Sequence, residues 1–365
     1  MTGPNSTIQL AKKNGNPIID GNEVTFFWEG DHAPKLMSDW NGWDPSPGSG
    51  QAHLRPFKRL SPRMQTATAK SVWYCTLSLP RDAYVEYALY DSVTQQKFID
   101  PLNKRTISNG VGGRNNYFYM PENMPSPFAI RRGDVPVGAL STHSVETKWL
   151  RDDYERDIFL YRPPVNEPVP LLIVYDGQDY LHRAKLTTIV DNLIADKRIV
   201  PIAMAFLPGA GRWRNVEYAC SDATLLWLDQ IILPLAGEKL NLLDIEKYPG
   251  AYGVLGASLG GTMALYTGLR MSDVFGKVLS QSGAFTIESR DFAPVDLVKH
   301  GQAKDIRIWM DVGQLDVLLE DNRTMYALLQ ERDYKAAYRE FVAGHNFTAW
   351  RDDVWRGLET MFLAR

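Results

Sequence analysis

Tyr252-Gly253-Val254-Leu255-Gly256-Ala257-Ser258-Leu259-Gly260-Gly261-Thr262-Met263-Ala264-Leu265-Tyr266 is the stretch that decides the fold of this 365-residue chain. The apolar run at its start reads as a buried strand, and the run after Gly261 reads as a helix. Between them lies Gly-x-Ser-x-Gly. A serine on a sharp strand-to-helix turn projects its hydroxyl from the carboxyl end of a sheet, and glycines two before and two after relieve the crowding of that turn. The N–H of Leu259 then points to where negative charge develops on a reacting carbonyl, and the amino end of the following helix favours that charge. A glycine-rich turn that merely packs closely would show the same five residues. The strand and helix on either side favour a nucleophile, Ser258.

Outward from this stretch, apolar strands alternate with helical segments. Strands are expected over Leu171–Tyr175, Ile202–Phe206, Ala251–Leu255, Lys277–Ser280 and Ile306–Met310, with helices such as Leu186–Asp196 and Thr224–Ile232 between them. That alternation predicts a parallel sheet covered on both faces, an α/β class. Together with the serine turn it predicts an α/β-hydrolase domain. Gly138–Lys148 and Asp157–Tyr161 read as two leading strands. The first 120 or so residues are different. Val24–Trp28, Trp73–Leu79, Tyr84–Tyr90 and Asn116–Met120 are short runs rich in aromatic and β-branched residues, separated by turn clusters at Asn41-Gly42, Pro45–Gly50 and Asn109–Gly113. They predict an all-β sandwich. Pro121–Pro127 is a Pro-rich, polar connector. The expected organisation is a β-sandwich over 1–122, a linker over 123–137 and a catalytic domain over 138–365.

In an α/β-hydrolase the acid and then the histidine follow the serine in chain order. Two histidines do so. His300, beside Lys299, reads as a charge at the end of a helix. His345, in Ala343-Gly344-His345 after a strand over Tyr338–Val342, lies where the general base belongs. The acid should follow the strand ending at Met310. Asp316, in Gly313-Gln314-Leu315-Asp316, is the first candidate. Glu320 and Asp321 are alternatives, and Asp311 at the strand end reads as a structural acceptor. A second oxyanion donor should come from the loop after an earlier strand, and Asp176-Gly177-Gln178 fits, with Gly177 and Gln178 as donors beside Leu259.

These residues also carry a resemblance. Asp176-Gly177-Gln178, Arg212–Tyr218, Ile232-Leu233-Pro234, Gly256–Gly261, Ser280-Gln281-Ser282-Gly283, and Gly344-His345 with Trp350-Arg351 together resemble the enterochelin esterase-like esterase family, related to esterase D. The resemblance covers roughly residues 140 to 365. It implies an α/β-hydrolase fold and esterase activity with neither organic cofactor nor metal. It also marks Arg214, Glu217 and Trp350 as substrate-binding or site-shaping candidates; an Arg214 or Glu217 ion pair would be the plainer reading of those two. Val24–Gly30, Met37–Trp43, Tyr84–Tyr90 and Asp100–Asn103 resemble the glycogen-binding-type immunoglobulin-like module. Trp40 and Trp43 could stack on a sugar, although aromatic residues in such sheets more often fill the core.

The leading expectation is therefore a serine esterase acting through an acyl-enzyme on a small-molecule ester, with a catecholate siderophore, ferric or free, as one substrate class. A feruloyl or acetyl carbohydrate esterase is the alternative. A non-catalytic carbohydrate-binding protein is the alternative of another class. Composition bounds the rest. Hydrophobic residues make up 44% and charged residues 23%, with a net charge of −3. That balance suits a globular protein and offers no basic stripe for nucleic acid. There are two cysteines, far apart, which argues for reduced thiols. A polar Met1–Ile8 and the lack of a long apolar run predict a cytoplasmic protein with no membrane partner. A homodimer is left open.

Overall fold

Alternation of large apolar and polar side chains builds the N-terminal strands, because a sheet with one covered face needs its apolar residues at every second position. In the computed structural model, which describes residues 4–44, 65–66, 72–110, 112–150, 155–288 and 290–364, these strands are β1 (Ile18–Asp20), β2 (Glu23–Glu29), β3 (Lys35–Ser38), β4 (Gln65–Thr66), β5 (Val72–Ser78), β6 (Tyr84–Asp91), β7 (Gln96–Phe98), β8 (Thr106–Ser108) and β9 (Arg114–Tyr119). The turn cluster expected over Pro45–Gly50 lies outside the described residues. Two antiparallel sheets form. One has the order β1-β2-β5-β4; the other has β3-β6-β9-β8, with β7 pairing β6. Register sets Phe26 opposite Cys75 and Ser38 opposite Tyr87. The two sheets share one core, in which Phe26 meets the Tyr87 ring edge-on at 5.0 Å and Phe118 at 5.9 Å, a favoured geometry for aromatic pairs. Trp40 is buried in this core. Below it, Asp100 anchors a buried polar hub: it accepts from the Tyr87 hydroxyl (2.8 Å) and from Asn16 (2.6 Å).

Chain compactness divides the molecule into two units that do not follow a single cut. The first comprises Met1–Pro125 together with Gly313–Leu319 and Phe341–Ala349; the second comprises Ser126–Val312, Glu320–Glu340 and Trp350–Arg365. The main break thus falls inside the Pro-rich connector. Two short loops from the C-terminal half belong by packing to the N-terminal unit.

The second unit is built on β10 (Ala139–Glu146), β11 (Glu155–Arg162), β12 (Leu171–Tyr175), β13 (Ala203–Leu207), β14 (Tyr252–Ala257), β15 (Phe275–Gln281), the short hairpin β16 (Thr286–Ile287) and β17 (Arg290–Asp291), β18 (Arg307–Gly313) and β19 (Lys335–Phe341). Its main sheet has the order β10-β11-β13-β12-β14-β15-β18-β19. From β13 through β18 the neighbours run parallel, while β10 and β11 form an antiparallel margin. Every residue of β12, β13 and β14 is buried, as a strand covered on both faces requires. Strand β12 lies between β13 and β14, so the winding direction reverses there. In such sheets ligands bind at the carboxyl ends of the strands beside that reversal. The loop after β12 begins at Asp176, and the turn after β14 holds Ser258. Helix Pro4–Asn14 was not expected from its polar sequence; it seats Ala11 against Phe27 and Val72.

Candidate active site

Ser258 leaves β14 with φ 57° and ψ −127° and caps the helix Leu259–Arg270. That region is sparsely populated for a residue bearing a Cβ, and such conformations persist where the surroundings over-determine them. Here the Ser258 N–H donates to the Gln281 carbonyl (2.9 Å), and its carbonyl accepts from Gly261 (2.9 Å) and Thr262 (3.1 Å). Gly256 is required for the turn. A Cβ there would lie 2.1 Å from the Gly260 carbonyl oxygen, inside any allowed contact. Ser258 and Leu259 are half-buried, within reach of solvent.

The Asp176 loop packs on this turn. Asp176 itself has φ 52° and precedes the helix Gly177–His182. Its carboxylate sits 3.0 Å from where a Cβ on Gly260 would be. As the first residues of a helix, Gly177 and Gln178 have N–H groups without intrahelical acceptors, as does Leu259 at the head of its own helix. Two helix amino ends thus meet beside Ser258. Asp176 is pinned by Arg214, whose Nε and Nη2 each donate at 2.6 Å to one carboxylate oxygen, and its backbone N–H donates to the Tyr218 hydroxyl at 3.0 Å. Burial pushes the Asp176 carboxyl above its ordinary value, and the Arg214 guanidinium pulls it back.

Arg214 and Glu217 therefore occupy different places. Arg214 holds the loop after β12. Glu217 is buried and accepts both Nη atoms of Arg156, at 2.8 and 2.9 Å. Neighbouring Arg212 is exposed and lies over the Trp213 ring at 5.2 Å. Trp350 is also buried: its indole N–H donates to Ser282 Oγ at 2.9 Å. It belongs to a floor under the site in which Gln281 receives the Tyr180 hydroxyl (2.8 Å) and donates to Asp311 (3.0 Å) and to the Trp350 carbonyl (3.2 Å). Burial holds the Asp311 carboxyl well above the usual range, with Asp353 adding to the effect.

Asp316 and His345 are brought together. Nδ1 of His345 lies 2.9 and 3.1 Å from the two Asp316 oxygens. The acid is fully buried and the imidazole about a third exposed. Their loops are joined by backbone bonds from Gln314 to the Phe341 carbonyl (2.7 Å) and from Leu315 to the Ala343 carbonyl (3.0 Å). The alternatives for the acid point elsewhere: Glu320 pairs with Arg323, and Asp321 accepts from Thr286. His300 ends the helix Ala293–His300. Cys75 and Cys220 are free, and burial pushes both thiols up to about 12. Among the described residues no cluster of three or more metal-ligating side chains occurs, and no helix is long and apolar enough to cross a membrane. Sequence reading missed Asp39 and the role of Asp176, which sit in segments read for their aromatic or glycine content, and Arg156, which directly precedes the strand read over Asp157–Tyr161; no spacing rule singles them out.

Known proteins resemble this chain over the same region. Residues 152–361 match the family described as "Putative esterase". The chain is 28% identical over 282 residues to the iron(III) enterobactin esterase of Dickeya dadantii (strain 3937), an alignment covering 71% of this chain and 63% of that protein. It thus spans a little under two thirds of that relative's length. It is 21% identical to the iron(III) salmochelin esterase of Escherichia coli O6:H1, over 81% of this chain and 78% of the other. Among solved structures, the ferric enterobactin esterase of Salmonella typhimurium superposes with a TM-score of 0.76 at 20% identity, over 93% of each chain. A ferulic acid esterase covers 62% of this chain and 97% of its own, with a TM-score of 0.52 at 17% identity. The α/β-hydrolase fold follows from these likenesses.

Proposed function

The chain belongs to the Putative esterase family, and from that premise we propose that it is a serine hydrolase that opens ester bonds of a catecholate siderophore, ferric or iron-free. The observation that carries the reading is the backbone of Ser258, held at φ 57° on a strand-to-helix turn. A strained serine at that place has a ready chemical use as an activated nucleophile.

In this mechanism Ser258 Oγ attacks the ester carbonyl carbon while Nε2 of His345 takes the hydroxyl proton. Asp316 accepts the Nδ1 hydrogen, fixing the tautomer and stabilising the imidazolium as it forms. The oxyanion is received by the N–H of Leu259 and those of Gly177 and Gln178. Collapse of the tetrahedral species expels the alcohol, which takes the proton from Nε2. Water, deprotonated by the same His345, then releases the acid and restores Ser258. Arg214 acts through Asp176 to keep the second donor loop in place. Arg212 on Trp213 offers a cation and an aromatic face, which suits an anionic aryl substrate. The N-terminal β-rich unit is read as an immunoglobulin-like module.

The substrate class rests on the relatives named above, two of which bear the names of iron(III) siderophore esterases. Fluorophosphonate labelling followed by a panel of esters tests the reading: the catecholoyl-serine trilactone with and without iron, a feruloyl sugar and short p-nitrophenyl esters. Labelling that disappears in Ser258→Ala, with fastest turnover of the trilactone, is expected. Turnover of the feruloyl sugar alone would move the enzyme to the carbohydrate esterases. Folded wild-type protein that takes no label would remove the catalytic reading.

A further inference from the structure

The loop that carries His345 is seated on a side chain from the N-terminal strands. Asp39 follows β3 in a buried turn and is 3% exposed. A Cβ on Gly344 would lie 1.9 Å from the Asp39 Cγ. The carboxyl thus fills the place where any other residue before His345 would carry its side chain. Asp39 Oδ1 accepts from the Trp43 indole N–H at 2.9 Å, while Oδ2 is buried and makes no hydrogen bond. A carboxyl committed to burial with one oxygen unsatisfied is an expensive way to fill space. The proposed chemistry gives Asp39 no role, yet it stands beside the acid–base pair.

We propose that Asp39 is a positioning residue of that pair: its carboxyl holds Gly344, and hence His345, in register with Asp316, and places an ionisable group next to them. The inference rests on reading His345 as the general base. Four other groups of this unit bear on it. Glu86 on β6 is buried and receives the Tyr84 hydroxyl (3.1 Å) and Asn115 (2.8 Å). Lys97 on β7 donates to Asn115 (2.8 Å) and lies 4.3 Å from the Trp43 ring centre. Asp316 and His345 come from the two loops. Burial first, then the charge of Glu86, raises the Asp39 carboxyl to about 7, the Trp43 bond works against this, and Asp316 adds to it. Near neutral pH, Asp39 therefore gains or loses its charge. Ionised, it favours the imidazolium and makes His345 a stronger base; protonated, it withdraws that support.

The test is the titration of His345 by NMR in the full chain, with its signal assigned by His345→Gln, alongside kcat/KM against pH for a p-nitrophenyl ester. Asp39→Asn keeps the shape and an acceptor for Trp43 but carries no charge. Its His345 midpoint is expected to fall by about half a pH unit. The acidic limb of kcat/KM should move the same way with KM nearly unchanged. Asp39→Ala, which also removes the contact with Gly344, should lose at least a further tenfold in kcat. Trp43→Phe serves as the second variant if Asp39→Asn fails to fold: it favours protonated Asp39 and should shift the midpoint in the same direction by less. An unmoved midpoint in Asp39→Asn, or in Trp43→Phe where that variant stands in, overturns the proposal. So does equal loss of kcat in Asp39→Asn and Asp39→Ala. If wild type hydrolyses no ester at all, the functional reading falls, while the NMR titration still decides the role of Asp39.

Discussion

Ser258 is held in a strained backbone conformation. Its φ of 57° and ψ of −127° disfavour the fold by roughly 1–3 kcal/mol, a debt settled by the glycines and backbone bonds around it. Gly256→Ala should therefore slow fluorophosphonate labelling at least a hundredfold, since the new Cβ meets Gly260 at 2.1 Å; a labelling time course on folded protein checks this. Asp316→Asn has a different signature. The amide cannot stabilise the imidazolium and favours the wrong tautomer, so kcat should fall by about 10³–10⁴ with KM little changed. For Asp39 the sign of the pH effect can be worked out. Its folded value of about 7 lies above the ordinary 3.8, so the native state holds the proton more tightly than the unfolded chain. Its contribution to stability is fully present below about pH 4 and is lost as pH rises through 7. Asp39→Asn, which cannot ionise, should gain on wild type by roughly 3 kcal/mol between pH 5 and pH 8. Urea unfolding at both values reads the difference, and a constant gap would contradict it. At this scale the strand-to-helix turn of Ser258 and the pairing of His345 with Asp316 were legible, because chain order and a turn motif constrain them. Asp39 was not: in Asp39-Trp40-Asn41-Gly42-Trp43 an acid reads as a solvated turn residue, and nothing local announces that a loop some 300 positions later closes over it.

At the scale of elements, sequence patterning located the strands well where burial is two-sided. Leu171–Tyr175 coincides with β12, and the margins of β13, β14 and β18 move by one to three residues. A continuous apolar run between turn residues leaves little choice there. Helix Pro4–Asn14 escaped notice because its sequence has too few apolar residues to make a stripe; its helical state depends on tertiary seating of Ala11. The loops Gly313–Leu319 and Phe341–Ala349 were legible as carriers of Asp316 and His345, but not as a joined pair. Their backbone bonds and the narrow space at Gly344 make them behave as one element. Gly344→Ala should accordingly lower kcat by at least a hundredfold, because the loop must move away from Asp39. Removing the opposing carboxyl with Asp39→Gly in the same chain should recover part of that loss. Such recovery is a coupling that a double-mutant cycle measures directly, and strictly additive losses would mean that the two residues do not share the space.

For the whole molecule, the proposed mechanism makes catalytic competence depend on the N-terminal 125 residues, because they hold the loops of Asp316 and His345. The acid loop is anchored by Leu315, which is fully buried in the core that contains Trp40, Tyr87 and Phe118. The base loop is tied by the Tyr84 N–H to the Val342 carbonyl (3.0 Å), and Ala343 and Ala349 pack against Tyr84. Strip away those partners and only the backbone bonds between the two loops are left to hold Asp316 and His345 at 2.9 Å. Leu315→Ala tests this without truncation. Deleting a buried leucine side chain typically removes about 2–5 kcal/mol, and here the void opens at the residue preceding Asp316. The expected result is a kcat at least tenfold lower at temperatures where the protein is still folded, with fluorophosphonate labelling slowed in parallel. A matched substitution in the same core but away from the two loops, Leu77→Ala, should lower stability by a similar amount and leave kcat close to wild type. Equal losses of kcat in the two variants would show that general loosening of the β-rich unit, rather than support of the acid loop, governs turnover.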